Sequence, residues 1–287
     1  MIKLLALDLD GTLLNSRGEI SEINKNAIKQ AEEKGVLVTI ATGRRFRDAL
    51  PVGLKLELNA PLITHNGALL KYANTLETVA VSLLEYETVR KILRVGKKFG
   101  GDALLSADPN GKGVLLYDTV SDSNIPLQKY IAWSKTLHGA EAENAVHHVE
   151  NLADILDDLQ TVHVSFSGKC APMIEMERIL EKELGATVNI LTTVYPHLDF
   201  TLIDILPPGA SKGIGVEKIA RLNNLRAENV MVMGDNFNDL EMLEYAGTPV
   251  LMGNASPELL ESGRFFETLS NDENGVALAI EKFILGA

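Results

Sequence analysis

The stretch Lys3-Leu4-Leu5-Ala6-Leu7-Asp8-Leu9-Asp10-Gly11-Thr12 decides how the chain is read. Lys3 to Leu7 is a short, mostly apolar run with little alternation, the pattern of a strand buried on both faces. Two acids follow at once. Carboxylates at the end of a buried run are costly unless the run ends at a site. Ligands of open α/β sheets sit outside the carboxyl ends of the strands. Residues i and i+2 of a strand project to one side, so Asp8 and Asp10 are expected to converge. Gly11 lets the backbone turn close to a ligand.

Outward from this stretch, strand and helix signals alternate. Ser21 is placed to cap a helix whose apolar positions are Ile23, Ala27, Ile28 and Ala31, with Gly35 ending it. Val36 to Ala41 and Leu62 to Thr64 read as further strands, followed by Asn66-Gly67 and a hairpin from Leu69 to Val81. Near the other end, Ile203 to Leu206 reads as a strand broken by Pro207-Pro208-Gly209. Ser211 then opens a helix with Ile214, Ile219, Ala220 and Leu222 as apolar positions. Val230 to Met233 and Pro249 to Met252 read as strands, with helices at Asp239 to Ala246 and Gly275 to Leu285. Alternating βα units predict an α/β fold with a doubly wound parallel sheet.

The middle has another texture. Helices at Leu83 to Phe99, Ile125 to Leu137 and Pro172 to Leu184 mix with strands at Ala103 to Ser106, Gly113 to Tyr117, Thr161 to Ser167 and Thr187 to Leu191. The expectation is an inserted α+β domain over residues 84–192, with residues 1–83 and 193–287 forming the discontinuous core.

Composition narrows the function classes. Of 287 residues, 27 are Lys or Arg and 39 are Asp or Glu, a formal charge of −12. That balance argues against binding nucleic-acid backbones, whose affinity comes mainly from Lys and Arg, and against docking on anionic lipid. Cys170 is the sole cysteine and reads as a small buried hydrophobe. Leu4 to Leu7 is too short for a signal peptide, and no run approaches a membrane span. The expectation is a soluble, cytoplasmic protein with no membrane partner; oligomeric state is not readable.

Three more predicted turns carry chemistry. Val36 to Ala41 runs into Thr42-Gly43-Arg44, Ser211-Lys212-Gly213 opens a helix, and Val230 to Met233 runs into Gly234-Asp235-Asn236-Phe237-Asn238-Asp239. Each has a bland reading as a helix cap, a solvated Lys or a turn-rich loop; four in order do not. No GxxxxGK[ST] loop is present, and Gly213-Ile214-Gly215 lacks the third glycine of a dinucleotide fingerprint. His and Cys spacing offers no zinc site. His147-His148 reads as a solvated pair, Met231 and Met233 as core, and Tyr130 and Trp133 as packing.

DLDGT, ATGR, SKG and GDNFND together resemble the four ordered motifs of the haloacid dehalogenase superfamily, and within it the Cof-type phosphatases. THNGA at Thr64, GNA at Gly253 and NGVA near the end resemble the same group. The resemblance implies a Rossmann-like core and a C2-type cap inserted after ATGR, carrying substrate specificity. It implies an Mg2+-dependent phosphatase acting on small-molecule phosphate monoesters, sugar phosphates or phosphorylated cofactors, through an aspartyl-phosphate. Asp8 would attack phosphorus, and Asp10 would protonate the leaving alkoxide and then activate water. Asp8, the Asp10 backbone carbonyl, Asp235 and Asp239 would hold the ion, with Asp239 either ligand or support. Thr42, Gly43, Lys212 and Asn238 would serve the phosphate or substrate, and Asn66, on resemblance alone, would line the pocket. A phosphomutase and a non-catalytic phospho-ligand binder are the alternatives.

Overall fold

The computed structural model of the chain describes residues 1–286. The chain divides into two compact units. One comprises Met1–Arg44, Ala49–Val79 and the chain from Ser211 onward; the other comprises Arg45–Asp48 and Ala80–Ala210.

In the first unit, five parallel strands lie in the order Phe266–Glu267, Thr248–Leu251, Val230–Gly234, Leu4–Leu7, Leu37–Ile40. Leu4–Leu7 is at 0% exposure throughout, as the unalternating run predicts for a strand covered on both faces. The register sets Leu7 beside both Met233 and Ile40. The residues that follow, Asp8, Gly234 and Ala41, therefore emerge side by side at the carboxyl edge. Leu62–Thr64, Leu69–Lys71 and Thr78–Val81 form a separate three-stranded sheet.

Two flanking helices depart from the expected faces. In Glu22–Glu33, capped by Ser21, the buried positions are Asn24, Ala27, Ile28 and Ala31, while Ile23 is 55% exposed. That set follows the i, i+3, i+4, i+7 stripe more closely. Asn24 is admitted because its Oδ1 accepts from Ala277 N at 3.0 Å, satisfying a donor in the first turn of the helix Gly275–Ile280. In Lys212–Leu222, Leu222 is exposed and Lys212 is buried instead.

The second unit is a six-stranded sheet in the order Asn189–Tyr195, Phe200–Leu206, Thr161–Gly168, Asp102–Ala107, Val114–Tyr117, Val146–His148. All neighbours are antiparallel except the last pair. Helices Tyr86–Lys98 and Cys170–Leu184 bury Ile92, Met176 and Leu180 against Val164, Phe166, Ile203 and Ile205. This placement corrects the boundaries: the unit runs to Ala210, not 192, and starts at Ala80, not 84. Ile203-Asp204-Ile205 is an alternating strand with one apolar face, which suits an antiparallel sheet. It pairs with Thr161–Gly168 and does not join the parallel sheet.

Met231 and Met233 are core, as expected, and His147 and His148 are exposed. Cys170 is only half-buried at the start of its helix, so it is not the buried hydrophobe expected.

The segment Arg45–Asp48 belongs to the second unit through a buried network. Arg45 Nε and Nη2 donate to both Asp48 oxygens at 2.8 Å, and Arg45 also donates to Ser134 Oγ and the Ala145 carbonyl. Tyr130 Oη donates to Asp48 at 3.0 Å, and His138 Nε2 lies 2.8 Å from it. Burial pushes the Asp48 carboxyl up, but hydrogen bonding to His138 and the Arg45 guanidinium outweigh it, holding the pKa down at about 2 from 3.8. A carboxylate held down in the fold contributes stability above its unfolded value and loses it as pH falls through about 2. The difference is worth about 2 kcal/mol. Thermal melts should show this loss between about pH 4 and 2. Asp48→Asn should already cost about 3 kcal/mol at neutral pH and lack that share of the acid transition. A variant as stable as the parent at both pH values would refute the network's role.

Candidate active site

Each predicted turn arrives at the carboxyl edge on a strand or a helix start. Asp8 N donates to the Met233 carbonyl at 2.9 Å, and Ala41 N to the Leu7 carbonyl at 2.8 Å, carrying the sheet's bonding one step beyond the strands. Thr42 N then donates to the Ile63 carbonyl at 2.8 Å. The strand itself ends at Leu7, so two-residue alternation is not what places Asp10; a bridge between Asp10 and Leu14 closes the turn instead.

Gly11 is required in that turn. Its φ is +83°, and a Cβ there would stand 2.4 Å from Asp235 Oδ2. The space goes to the Asp235 carboxylate, whose Oδ1 accepts from Thr12 Oγ1 at 3.1 Å. Asn254 Nδ2 donates to the Gly11 carbonyl at 2.8 Å and steadies the same turn.

Lys212 is the centre. Ser211 caps its helix, accepting from Ile214 N at 3.1 Å. Lys212 is 1% exposed, and its Nζ donates to Asp8 Oδ1 and to Asp239 Oδ1, each at 2.6 Å. Asp239 Oδ2 accepts from the backbone N–H groups of Asp235 and Asn236 at 3.0 and 3.1 Å. Asp239 thereby ties the GDNFND loop to the Lys. Gly67 brings the neighbouring turn against this helix start: its φ is +92°, and a Cβ would lie 1.9 Å from the Ser211 carbonyl oxygen.

The electrostatics follow from burial. Asp8, Asp235 and Asp239 each offer a carboxylate oxygen, all within 4.8 Å of one another. Burial and the neighbouring Asp239 hold the Asp8 carboxyl well above the usual carboxylate range, against the pull of Lys212. Burial and Asp239 push Asp235 up to about 6. Burial would lower the Lys212 ammonium, but Asp239 and Asp8 outweigh it and raise its pKa, so it stays charged. Three carboxylates against one ammonium leave a formal charge of −2 in a largely dry place. Hard oxygen donors with that deficit fit a divalent cation such as Mg2+.

Thus the structure brings Asp8, Lys212, Asp235 and Asp239 together. Thr42 is buried, its Oγ1 accepting from Arg44 N at 3.1 Å. Gly43 lies beside Asn66, where a Cβ would meet Oδ1 at 3.1 Å. Asn66 is buried in the left-handed region at φ 48°, and Asn238 Nδ2 donates to its Oδ1 at 3.4 Å. Asp10 sits apart from the buried set, its side chain 59% exposed and bound by Arg44 at both oxygens. Sequence reasoning assigns no role to Thr12 or Asn254. Thr12 stands inside the DLDGT run, whereas Asn254 carries no signal beyond its place in GNA.

A model of the family described as haloacid dehalogenase-like hydrolase matches residues 5–280. The 5-amino-6-(5-phospho-D-ribitylamino)uracil phosphatase of Bacillus subtilis is 31% identical over 296 residues, 99% of each chain. The HMP-PP phosphatase of Serratia proteamaculans is 26% identical over 90% of this chain and 86% of its own. In fold, a haloacid dehalogenase-like hydrolase from Bacteroides thetaiotaomicron matches with a TM-score of 0.81 at 24% identity, over 98% of this chain and 99% of that one. The chain belongs to the haloacid dehalogenase-like hydrolase family and is an enzyme of its Cof-type phosphatases.

Proposed function

We propose that the chain is an Mg2+-dependent phosphatase of small phosphate monoesters, sugar phosphates or phosphorylated cofactors, working through an aspartyl-phosphate. The observation that carries this reading is the buried Lys212 bridging Asp8 and Asp239 beside Asp235, at the carboxyl edge of the sheet. Names of the relatives, which specify small phosphorylated metabolites, support the substrate class.

An Asp8 oxygen attacks phosphorus while the bond to the ester oxygen breaks, and the Asp10 carboxyl gives its proton to the departing alkoxide. Water then attacks the acyl-phosphate, Asp10 takes its proton, and the bond from phosphorus to Asp8 breaks to free phosphate. Lys212 orients Asp8 and places positive charge next to the transferring group. Thr42, Gly43, Asn66 and Asn238 provide the polar wall for the phosphate and its ester. Asp8, Asp235 and the Asp10 backbone carbonyl would hold Mg2+, with Asp239 bracing them, and the ion, when bound, supplies charge to offset the phosphate oxygens. Choice of leaving group is assigned to the inserted unit.

Release of phosphate from p-nitrophenyl phosphate tests the reading. Activity should require Mg2+, vanish with chelator, and fall roughly 10³-fold or more in Asp8→Asn. Activity that survives either treatment sinks the mechanism.

The raised carboxyls give a second expectation. A group whose pKa is raised in the fold contributes stability below its unfolded value and loses it as pH rises through the folded one. The metal-free chain should therefore lose stability from Asp235 between about pH 4 and 6, and Asp235→Asn should flatten that decline. Mg2+ at a hundredfold excess over its dissociation constant should restore about 2.7 kcal/mol. Melts unchanged by Mg2+ at neutral pH would contradict cation binding here.

A further inference from the structure

Asp10 is exposed where the other acids are buried, and an exposed carboxylate is free to sample several rotamers. Arg44 removes that freedom. Its Nε donates to Asp10 Oδ2 at 2.8 Å and its Nη2 to Oδ1 at 2.6 Å. Two parallel bonds between a planar guanidinium and a planar carboxylate fix direction as well as distance. The clamp stands on fixed ground. Arg44 N donates to Thr42 Oγ1 at 3.1 Å, and its carbonyl accepts from His65 N at 2.9 Å.

We propose that Arg44 is a positioning residue that aims the Asp10 carboxyl at the leaving-group oxygen and, in the second half-reaction, at the attacking water. The proposal rests on Asp10 being the proton donor and acceptor. Displacement of a reacting group by about 1 Å can cost roughly 10²-fold. A guanidinium that only aims the proton donor matters most where the leaving group needs the proton.

Two probes separate these cases: p-nitrophenyl phosphate, whose phenolate leaves readily, and phenyl phosphate, whose phenolate leaves poorly. Values of kcat/KM report the step that expels the leaving group. In Arg44→Ala, kcat/KM for phenyl phosphate should fall roughly 10- to 100-fold, and clearly less for p-nitrophenyl phosphate. Asp10→Asn should show the same split, and the double variant should fall no further than Asp10→Asn alone. Arg44→Lys, a point charge that cannot make two parallel bonds, should recover only part of the loss. Arg44→Gln serves in place of Arg44→Ala if the latter does not fold. Equal loss on both esters in the Arg44 variants, with Asp10→Asn still split, overturns the clamp and marks Arg44 as a phosphate contact. No split in Asp10→Asn overturns the reading of Asp10 and the inference with it.

Discussion

One buried ammonium organises the catalytic edge of the parallel sheet. Lys212 reaches Asp8 across 204 positions of sequence and Asp239 across 27. It thereby joins the end of the first strand to the loop after Val230–Gly234. Taking these charges out of water is expensive, and only close pairing repays it. The repayment is incomplete, because three carboxylates face one cation. The fold tolerates this deficit at the edge where its ligands are expected, and the same deficit suits the site to a cation.

The second unit solves the same problem differently. Asp48 is also buried, but Arg45, Tyr130 and His138 all bond to it, and its pKa settles at about 2. Asp235 is instead pushed up to about 6 by burial and by its acidic neighbour Asp239, against the hydrogen bond from Thr12. Opposite displacements set a fully partnered acid apart from one left among like charges. Asp48 needs nothing further; Asp8 and Asp235 are left short of positive charge.

Much of this was legible from residue order. Leu4–Leu7, Leu37–Ile40 and Val230–Gly234 read as buried parallel strands because they are apolar without alternation and each runs into polar residues. Their shared register, which aligns Asp8 with Gly234 and Ala41, then follows from the sheet. Ile203 to Leu206 misled because a four-residue apolar run with one acid fits a core strand and an antiparallel strand equally well. It pairs antiparallel with Asn189–Tyr195 on one side and with Thr161–Gly168 on the other. Burial of Lys212 was not legible either, since a Lys after a capping Ser is ordinarily solvated. Only the convergence of Asp8 and Asp239 makes that burial favourable. Arg44 stood in plain view beside Thr42 and Gly43, but its hold on Asp10 depends on the turn that ends the first strand.

The proposed chemistry turns on Asp8 as the nucleophile. Rapid acid quench of the enzyme during turnover of p-nitrophenyl phosphate with Mg2+, followed by mass spectrometry of its peptides, tests it directly. The peptide carrying Asp8 should transiently gain one phosphoryl group on that side chain, and the gain should be absent in Asp8→Asn. Turnover with no phosphorylated Asp8, under quench conditions that preserve acyl-phosphates, or with the phosphoryl group on another residue, would rule Asp8 out as the nucleophile.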